Sequence, residues 1–141
     1  MDAFDNFSDN PSGVISDKQA NLEWLPKDSY GDLGRWVNYQ EALSYCGTMI
    51  SVYAGGQNDW RLPTKDEALG LFHEDLNQLD WEGERVHIHP LFVTKCARLL
   101  WTSEENEKNQ TIVVNFKDGS TQFMDKDHRD NVAARLVRSV K

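Results

Sequence analysis

The chain has 141 residues, 39% of them hydrophobic and 27% charged, and its 15 basic and 23 acidic residues give a formal net charge of −8. This length and composition predict one ordinary globular domain with a core of its own rather than a disordered chain. The acidic balance argues against nucleic acid and anionic lipid as partners, and no apolar run reaches the ~20 residues that a membrane-inserted helix needs.

The first 13 residues are rich in Asp, Asn, Ser and Gly, and they predict a flexible lead-in, residues 1–13, before a single domain of residues 14–141. The stretch after Met1 is acidic where a signal peptide would be basic and apolar. We therefore expect a cytoplasmic protein if Met1 is the natural start. A cell-surface or secreted location is expected if a signal or a larger host chain precedes this sequence.

Strands and one long helix are predicted next along the chain. Residues 13–26 predict two short strands around a polar turn, and residues 27–36, with two glycines, predict a loop. Asn38 and Glu41 have the spacing of a capping box, so a helix is expected to begin there and to end near Gly47. Its apolar face follows the three-and-four spacing of Tyr39, Ala42, Leu43 and Cys46.

The segment 58–72, "NDWRLPTKDEALGLF", predicts a structural joint between a strand and a helix. Its apolar residues alternate with polar ones until a proline, which lacks an amide donor, ends the strand. A Thr-x-x-Glu capping box and an apolar helical stripe follow. Arg61 is expected on the polar face, where carbonyls or a carboxylate can accept from it. The structural residues of the joint are Trp60, Leu62, Pro63, Thr64, Glu67 and Phe72.

The second half predicts mainly strands separated by polar loops. Residues 73–84 are expected to be partly helical, residues 85–92 extended, and residues 97–105 a strand. Residues 111–124 have the pattern of a hairpin whose tight turn is Asp118–Gly119, and residues 132–140 close the chain as a strand. The order of elements predicts an α+β fold, with two helices packed on a mainly antiparallel sheet and long irregular loops.

Three groups of reactive side chains could hold a metal or act as a nucleophile, but for each of them we prefer an ordinary surface or core role. His87 and His89 could share a strand face and hold a metal, but no further ligand stands nearby in sequence. The oxygen-rich loop 125–131 loosely resembles a calcium site, but it lacks the glycine and terminal glutamate of an EF-hand, so a solvated acidic loop is the better interpretation. Cys46 lies on an apolar helix face, and Cys96 follows Lys95 without a histidine nearby.

Several motifs occur here in one order: "LEWLP", "DWRLPTKDEALGLF", "HPLF", "LLWTSEE", "VVNFKDGS" and "ARLVRSV". This series resembles the Lcl C-terminal domain family over about residues 14–140. The resemblance implies a C-type-lectin-like fold, shared with formylglycine-generating enzymes, in which irregular loops form a binding face. Family members often carry a Cys where this chain has Leu136. We therefore expect Cys46 and Cys96 to be free thiols in a cytoplasmic protein.

These observations favour a non-catalytic, adhesin- or receptor-binding-like module that recognises a glycan or a protein through the loops of its C-terminal half. No cofactor is expected, with calcium as the alternative. Within the predicted ligand loops 101–110 and 125–131, Trp101 is the one ring with apolar surface for stacking on a ligand, but its alternation with Leu99 favours the core. The other functional hypothesis is a metal-dependent or thiol enzyme of the formylglycine-generating-like fold. The predicted ligand-binding residues are Glu104, Glu105, Asn106, Asp125, Asp127 and Arg129.

Overall fold

The structure, a computed structural model, describes residues 7–73, 75–89, 92 and 97–140 and shows an α+β domain. The helices in this part of the chain are α1 (Ser29–Leu33), α2 (Tyr39–Ser51) and α3 (Lys65–Leu69), with a 3₁₀ turn at Ala54–Gly56. The strands are β1 (Phe7–Asp9), β2 (Ile15–Asp17), β3 (Leu22–Trp24), β4 (Gln78–Leu79), β5 (Arg85–Val86), β6 (Leu99–Glu105), β7 (Gln110–Asn115), β8 (Thr121–Asp125), β9 (Val132–Ala133) and β10 (Val137–Ser139).

The strands form two larger sheets, ordered β1-β2-β3-β10 and β8-β7-β6-β9, and a small β4–β5 pair. All pairs are antiparallel except β6 with β9, so the predicted α+β fold with mainly antiparallel sheets is confirmed. The predicted number of two helices is wrong, because α1 occupies part of the segment that the sequence indicated as a loop.

Side-chain caps define where the helices begin. Asn38 Oδ1 accepts from the Glu41 amide at 2.9 Å, and the Glu41 carboxylate accepts from the Asn38 amide at 3.0 Å. Thr64 and Glu67 make the same reciprocal pair at the start of α3, at 3.2 and 2.9 Å. Both predicted capping boxes are therefore confirmed, and each satisfies amide donors that a first helical turn leaves unpaired.

The core lies on both faces of the β6–β7 pair, because successive side chains of a strand point to opposite faces. One face packs against α2 and carries Leu99, Trp101 and Val113, so Trp101 is a core residue as expected. The other face carries Leu100 and Val114 and packs against α3 and the first sheet. The β6–β7 hairpin is thus the scaffold that fixes the loops at its ends.

The apolar residues of the joint at residues 60–67 are buried as predicted, but the joint contains no regular strand. Trp60 and Leu62 are 2% and 5% exposed, and Arg61 forms only an isolated antiparallel bridge with Val137. The Arg61 guanidinium holds the Glu67 carboxylate through two bonds of 2.6 and 2.8 Å, which confirms its expected partner. This bidentate pair ties the bridge to the first turn of α3.

Other predictions need correction. The helix expected to end near Gly47 continues to Ser51 as α2. Residues 7–9 of the predicted flexible lead-in form β1, because Phe7 packs against His89 and Phe92; residues 1–6 lie outside the described residues. Phe72 is half-buried rather than a core residue, since α3 ends at Leu69 and Phe72 instead covers the hairpin turn at Gly119. The described part of segment 73–84 contains β4 and a turn and no helix.

Candidate functional site

Two arginines from different loops meet at one carboxylate on the first turn of α2. Arg129 Nε donates to Glu41 Oε1 at 2.6 Å, and Arg35 donates to Glu41 Oε2 at 2.7 Å. Both arginine side chains are more than half exposed. Each guanidinium has five donors and is planar, so further donors remain for an external acceptor.

A second ion pair lies where the β6 end meets the β8–β9 loop. Lys126 Nζ donates to Glu105 at 2.7 Å, and the Lys126 ammonium lies 5.2 Å from the centre of the Tyr39 ring. Because Tyr39 begins α2, this pair and the two Glu41 pairs line the same end of the helix. We call this surface the charged rim, and it consists of Arg35, Glu41, Glu105, Lys126 and Arg129.

The structure brings most of the predicted ligand residues to this end of the molecule. Glu105 and Arg129 belong to the charged rim itself. Asn106 and Asp125 are joined through Gln110, whose side chain bonds to them at 3.0 and 3.3 Å. Asp127 is exposed, two residues further along.

Glu104 is not part of this group. Its carboxylate accepts from the Lys65 amide at 3.2 Å, at the start of α3. This contact gives Glu104 a structural role on a different helix terminus.

A groove between α1 and α2 adjoins the charged rim through Arg35 and Glu41. It has a volume of about 330 Å³, near the lower limit of small-molecule sites. At one point the Tyr45 hydroxyl donates to the Asp32 carboxylate, and burial raises the pKa of Tyr45 above its ordinary value. The lining residues are Asp32, Leu33, Arg35, Glu41, Ser44, Tyr45, Thr48 and Met49.

We predict that Glu41 keeps its charge far into acid. Its hydrogen bond from Asn38, followed by those from Arg129 and Arg35, lowers its pKa from 4.5 to about 2. A lowered pKa contributes stability that is fully present above the ordinary value and is lost as the pH falls through about 2. A carboxyl NMR titration should show this midpoint, and Arg129→Ala should move it upward. A wild-type midpoint near 4.5 would contradict the observed pairing.

Sequence patterns missed several residues of this surface. Glu41 was recognised only as a capping residue, and Arg35 and Asp32 lie in the segment assigned to a loop. An aromatic stack was also missed: the Tyr30 ring lies 4.2 Å from Trp36 and 4.7 Å from Trp81. The two large rings within residues 30–36 indicate that an aromatic contact forms there. Their partner Trp81 is too distant in sequence to be inferred.

The His87–His89 pair and Cys46 make contacts that stabilise the fold. His87 Nδ1 lies 2.8 Å from the Leu76 carbonyl, while the His89 ring packs against Phe7, and burial lowers the His89 pKa. Cys46 is a free thiol that donates to the Trp60 carbonyl at 3.3 Å, and burial raises its pKa. Cys96 lies outside the described residues. Within the described ranges, no three or more His, Cys, Asp or Glu side chains cluster closely enough to hold a metal ion.

Comparison with known proteins gives one family. The model described as the Lcl C-terminal domain matches residues 13–138. No curated protein matches the sequence. In the part of the chain that the structure describes, no helix has the length and apolar character to cross a bilayer.

Proposed function

The chain belongs to the Lcl C-terminal domain family, and from that membership and the charged rim we propose that it is a non-catalytic binding module for a glycan or protein ligand. The module is adhesin- or receptor-binding-like. It recognises its ligand through the loops of its C-terminal half together with the first turn of α2. Calcium has no part in this proposal.

The observation that carries the proposal is the convergence of separate segments on one exposed surface. Glu105 ends β6, Lys126 and Arg129 follow β8, and Glu41 lies on α2. The segments are held by the β6–β7 core and by the reciprocal cap of α2. Polar side chains that can vary without disturbing the core, on loops of a rigid scaffold, are the usual setting of recognition sites.

The protonation behaviour of the rim favours recognition over proton transfer. A general acid or base works best with a pKa near the operating pH. Here the Asn38 amide and then the two arginines hold the pKa of Glu41 at about 2, and Lys126 lowers the pKa of Glu105. Both carboxylates therefore remain fixed charges at neutral pH, suited to matching the charges and donors of a partner.

The finer fold assignment belongs to the same proposal. We infer a C-type-lectin-like arrangement from the family membership, from the helices packed on mainly antiparallel sheets, and from the loops 106–109 and 126–131 at one end of the β6–β8 strands. In this arrangement the charged rim would lie on the loop face.

The proposal predicts that binding and stability respond to different substitutions. A glycan array of neutral and anionic sugars, with a displayed-peptide library beside it, would first identify a ligand. Alanine at Arg35, Glu105, Asn106, Asp125, Asp127 and Arg129, together with Glu41→Gln, which keeps an acceptor for the α2 cap, should then weaken binding by at least about tenfold because charge matching is lost. Glu104 is left unchanged because its carboxylate accepts from the Lys65 amide. The unfolding midpoint should change little, since exposed ion pairs contribute only about 0–1 kcal/mol each.

Arg85→Ala is the matched control, because it removes an exposed arginine from β5, outside the rim. It should leave binding unchanged. The proposed face would be wrong if binding survived the rim substitutions and was lost on changing Gly55–Gln57 or the His87–His89 pair. The absence of binding on both the array and the library would count against the module itself.

A further inference from the structure

β8 is an edge strand with one side open. It pairs with β7 and ends its sheet, and no strand of the described chain lies on its other side. Four of its five residues are exposed, and the Phe123 side chain, 49% exposed, is the large apolar group at its centre. An uncovered edge of this kind is a template for pairing with another strand.

The hydrogen-bond pattern with β7 shows which backbone groups are free. Ser120 accepts from the Asn115 amide at 2.8 Å, and the Lys126 amide donates to Asn109 at 3.2 Å. In an antiparallel ladder the residues that bond to the neighbour alternate with those that point away. The even-numbered residues of β8 therefore bond to β7, and Thr121, Phe123 and Asp125 present their amides and carbonyls to the open side. The Asp125 carbonyl also accepts from the His128 amide at 3.0 Å and has a second lone pair for a partner strand.

The sequence of β8 matches itself around a two-fold axis at Phe123. In the antiparallel register centred there, Phe123 faces its own copy and Thr121 faces Asp125, so all five residues of the strand are aligned. Beyond the strand, Lys126 faces Ser120 and Asp127 faces Gly119. Each charged residue thus meets an uncharged one, and no like charges lie directly opposite, which would be unfavourable.

Alternative registers are less favourable. Centring the axis on Asp125 would place two carboxylates against each other, and centring it on Thr121 would leave Asp125 beyond the partner's strand. A slip of the pairing by one residue would offer groups that already bond to β7. An axis at Gln122 would leave Asp125 opposite a residue outside the strand, and an axis at Met124 would do the same for Thr121. The register at Phe123 is therefore the one in which every outward-facing residue of β8 has a partner within the strand.

We propose that β8 is a homodimer interface, in which two copies of the chain join their β8 strands antiparallel about Phe123 into one continuous sheet. The contact is isologous, because the same patch serves both copies. It is small, and interfaces well below about 1,200 Å² are characteristic of weak association. The dimer places two β8–β9 loops, and so two charged rims, on one particle, and it does not depend on the proposed ligand.

Analytical ultracentrifugation of the whole chain tests the proposal. The average mass should rise reversibly toward that of a dimer between about 10 µM and 1 mM, the range expected for a small transient contact. Phe123→Lys and Phe123→Glu should each abolish the rise, since each would place like charges together on the axis. An equimolar mixture of the two variants should restore it as a heterodimer.

Leu79→Lys is the matched control, because Leu79 is 52% exposed on β4, outside this edge; this variant should associate as the wild type does. Hydrogen exchange adds a second measure: the amides of Thr121, Phe123 and Asp125 should gain protection with concentration, while those of Gln122 and Met124 should not change. A chain that stays monomeric, a mixture that fails to associate, or equal protection of both sets would overturn the proposal.

Discussion

Trp60→Ala is expected to lower the free energy of unfolding by about 3–5 kcal/mol, the cost of removing a large ring from a packed core. The ring is 2% exposed, and its Nε1 donates to the Ala54 carbonyl at 2.8 Å. It also lies beside Gly55, where an added Cβ would be 3.5 Å from the ring. The substitution would therefore leave a cavity next to the turn at residues 54–56 and remove one of the two hydrogen bonds that the Ala54 carbonyl accepts, the other coming from the Gln57 amide at 3.2 Å.

Urea denaturation followed by far-UV circular dichroism measures this effect without relying on the deleted fluorophore. Phe123→Ala is a suitable control, because it removes an aromatic ring that is 49% exposed and should cost less than about 1 kcal/mol at low protein concentration. A change below about 1 kcal/mol for Trp60→Ala would contradict its assignment to the core.

The parts of the fold that the sequence predicted well depend on local chemistry. Both capping boxes follow from side chains three residues apart, and the β7–β8 hairpin follows from Asp118–Gly119, where Gly119 has φ of 76°. The alternation around Trp101 likewise needs only its neighbours to indicate a core strand. In each case the stabilising partner lies within a few residues.

The predictions that failed depend on contacts distant in sequence. Leu43 fits the helical spacing of α2 but is 41% exposed, because Tyr45 packs into the core in its place. Phe7 looked like part of a mobile lead-in, and it is held by rings at positions 89 and 92. No local pattern identifies such partners. Periodicity therefore predicts that a helix forms but not which of its side chains are buried.

The residues of the candidate site also divide into those that local composition predicts and those whose partners are distant in sequence. Polar composition indicated Glu105 and Arg129, which do lie on the charged rim. Composition does not indicate their partners Lys126 and Glu41 as site residues. Glu41 lies 88 positions from Arg129, so no local pattern connects the two. Glu104 was included for its composition alone, and the contact with Lys65 that separates it from the rim becomes visible only when α3 is placed beside β6.

A buried carboxylate, beside the bonds between Ser29 and Ala134, holds the segment 27–36 that the sequence predicts as a loop. Asp28 is 3% exposed, and its Oδ1 caps α1 by accepting from Gly31 at 2.9 Å. Its Oδ2 accepts from the Ala97 amide at 2.6 Å and from Trp81 Nε1 at 3.3 Å. Asp28 therefore caps α1 and also joins this helix to Trp81 of the aromatic stack and to Ala97, which precedes β6.

Asp28→Asn is expected to lower the free energy of unfolding by about 2–4 kcal/mol, because each buried donor left unpaired costs about 1–3 kcal/mol. The asparagine has one acceptor oxygen, so if it keeps the cap its NH₂ group faces the donors of Ala97 and Trp81. Asp28→Ala should cost at least as much, since it removes the cap as well.

Asp127→Asn is the same isosteric change in the exposed β8–β9 loop and should stay within about 0.5 kcal/mol of wild type. Urea unfolding of the three variants measures the differences. Equal stability of Asp28→Asn and wild type would show that the Oδ2 contacts do not hold this segment, and that the cap alone accounts for α1.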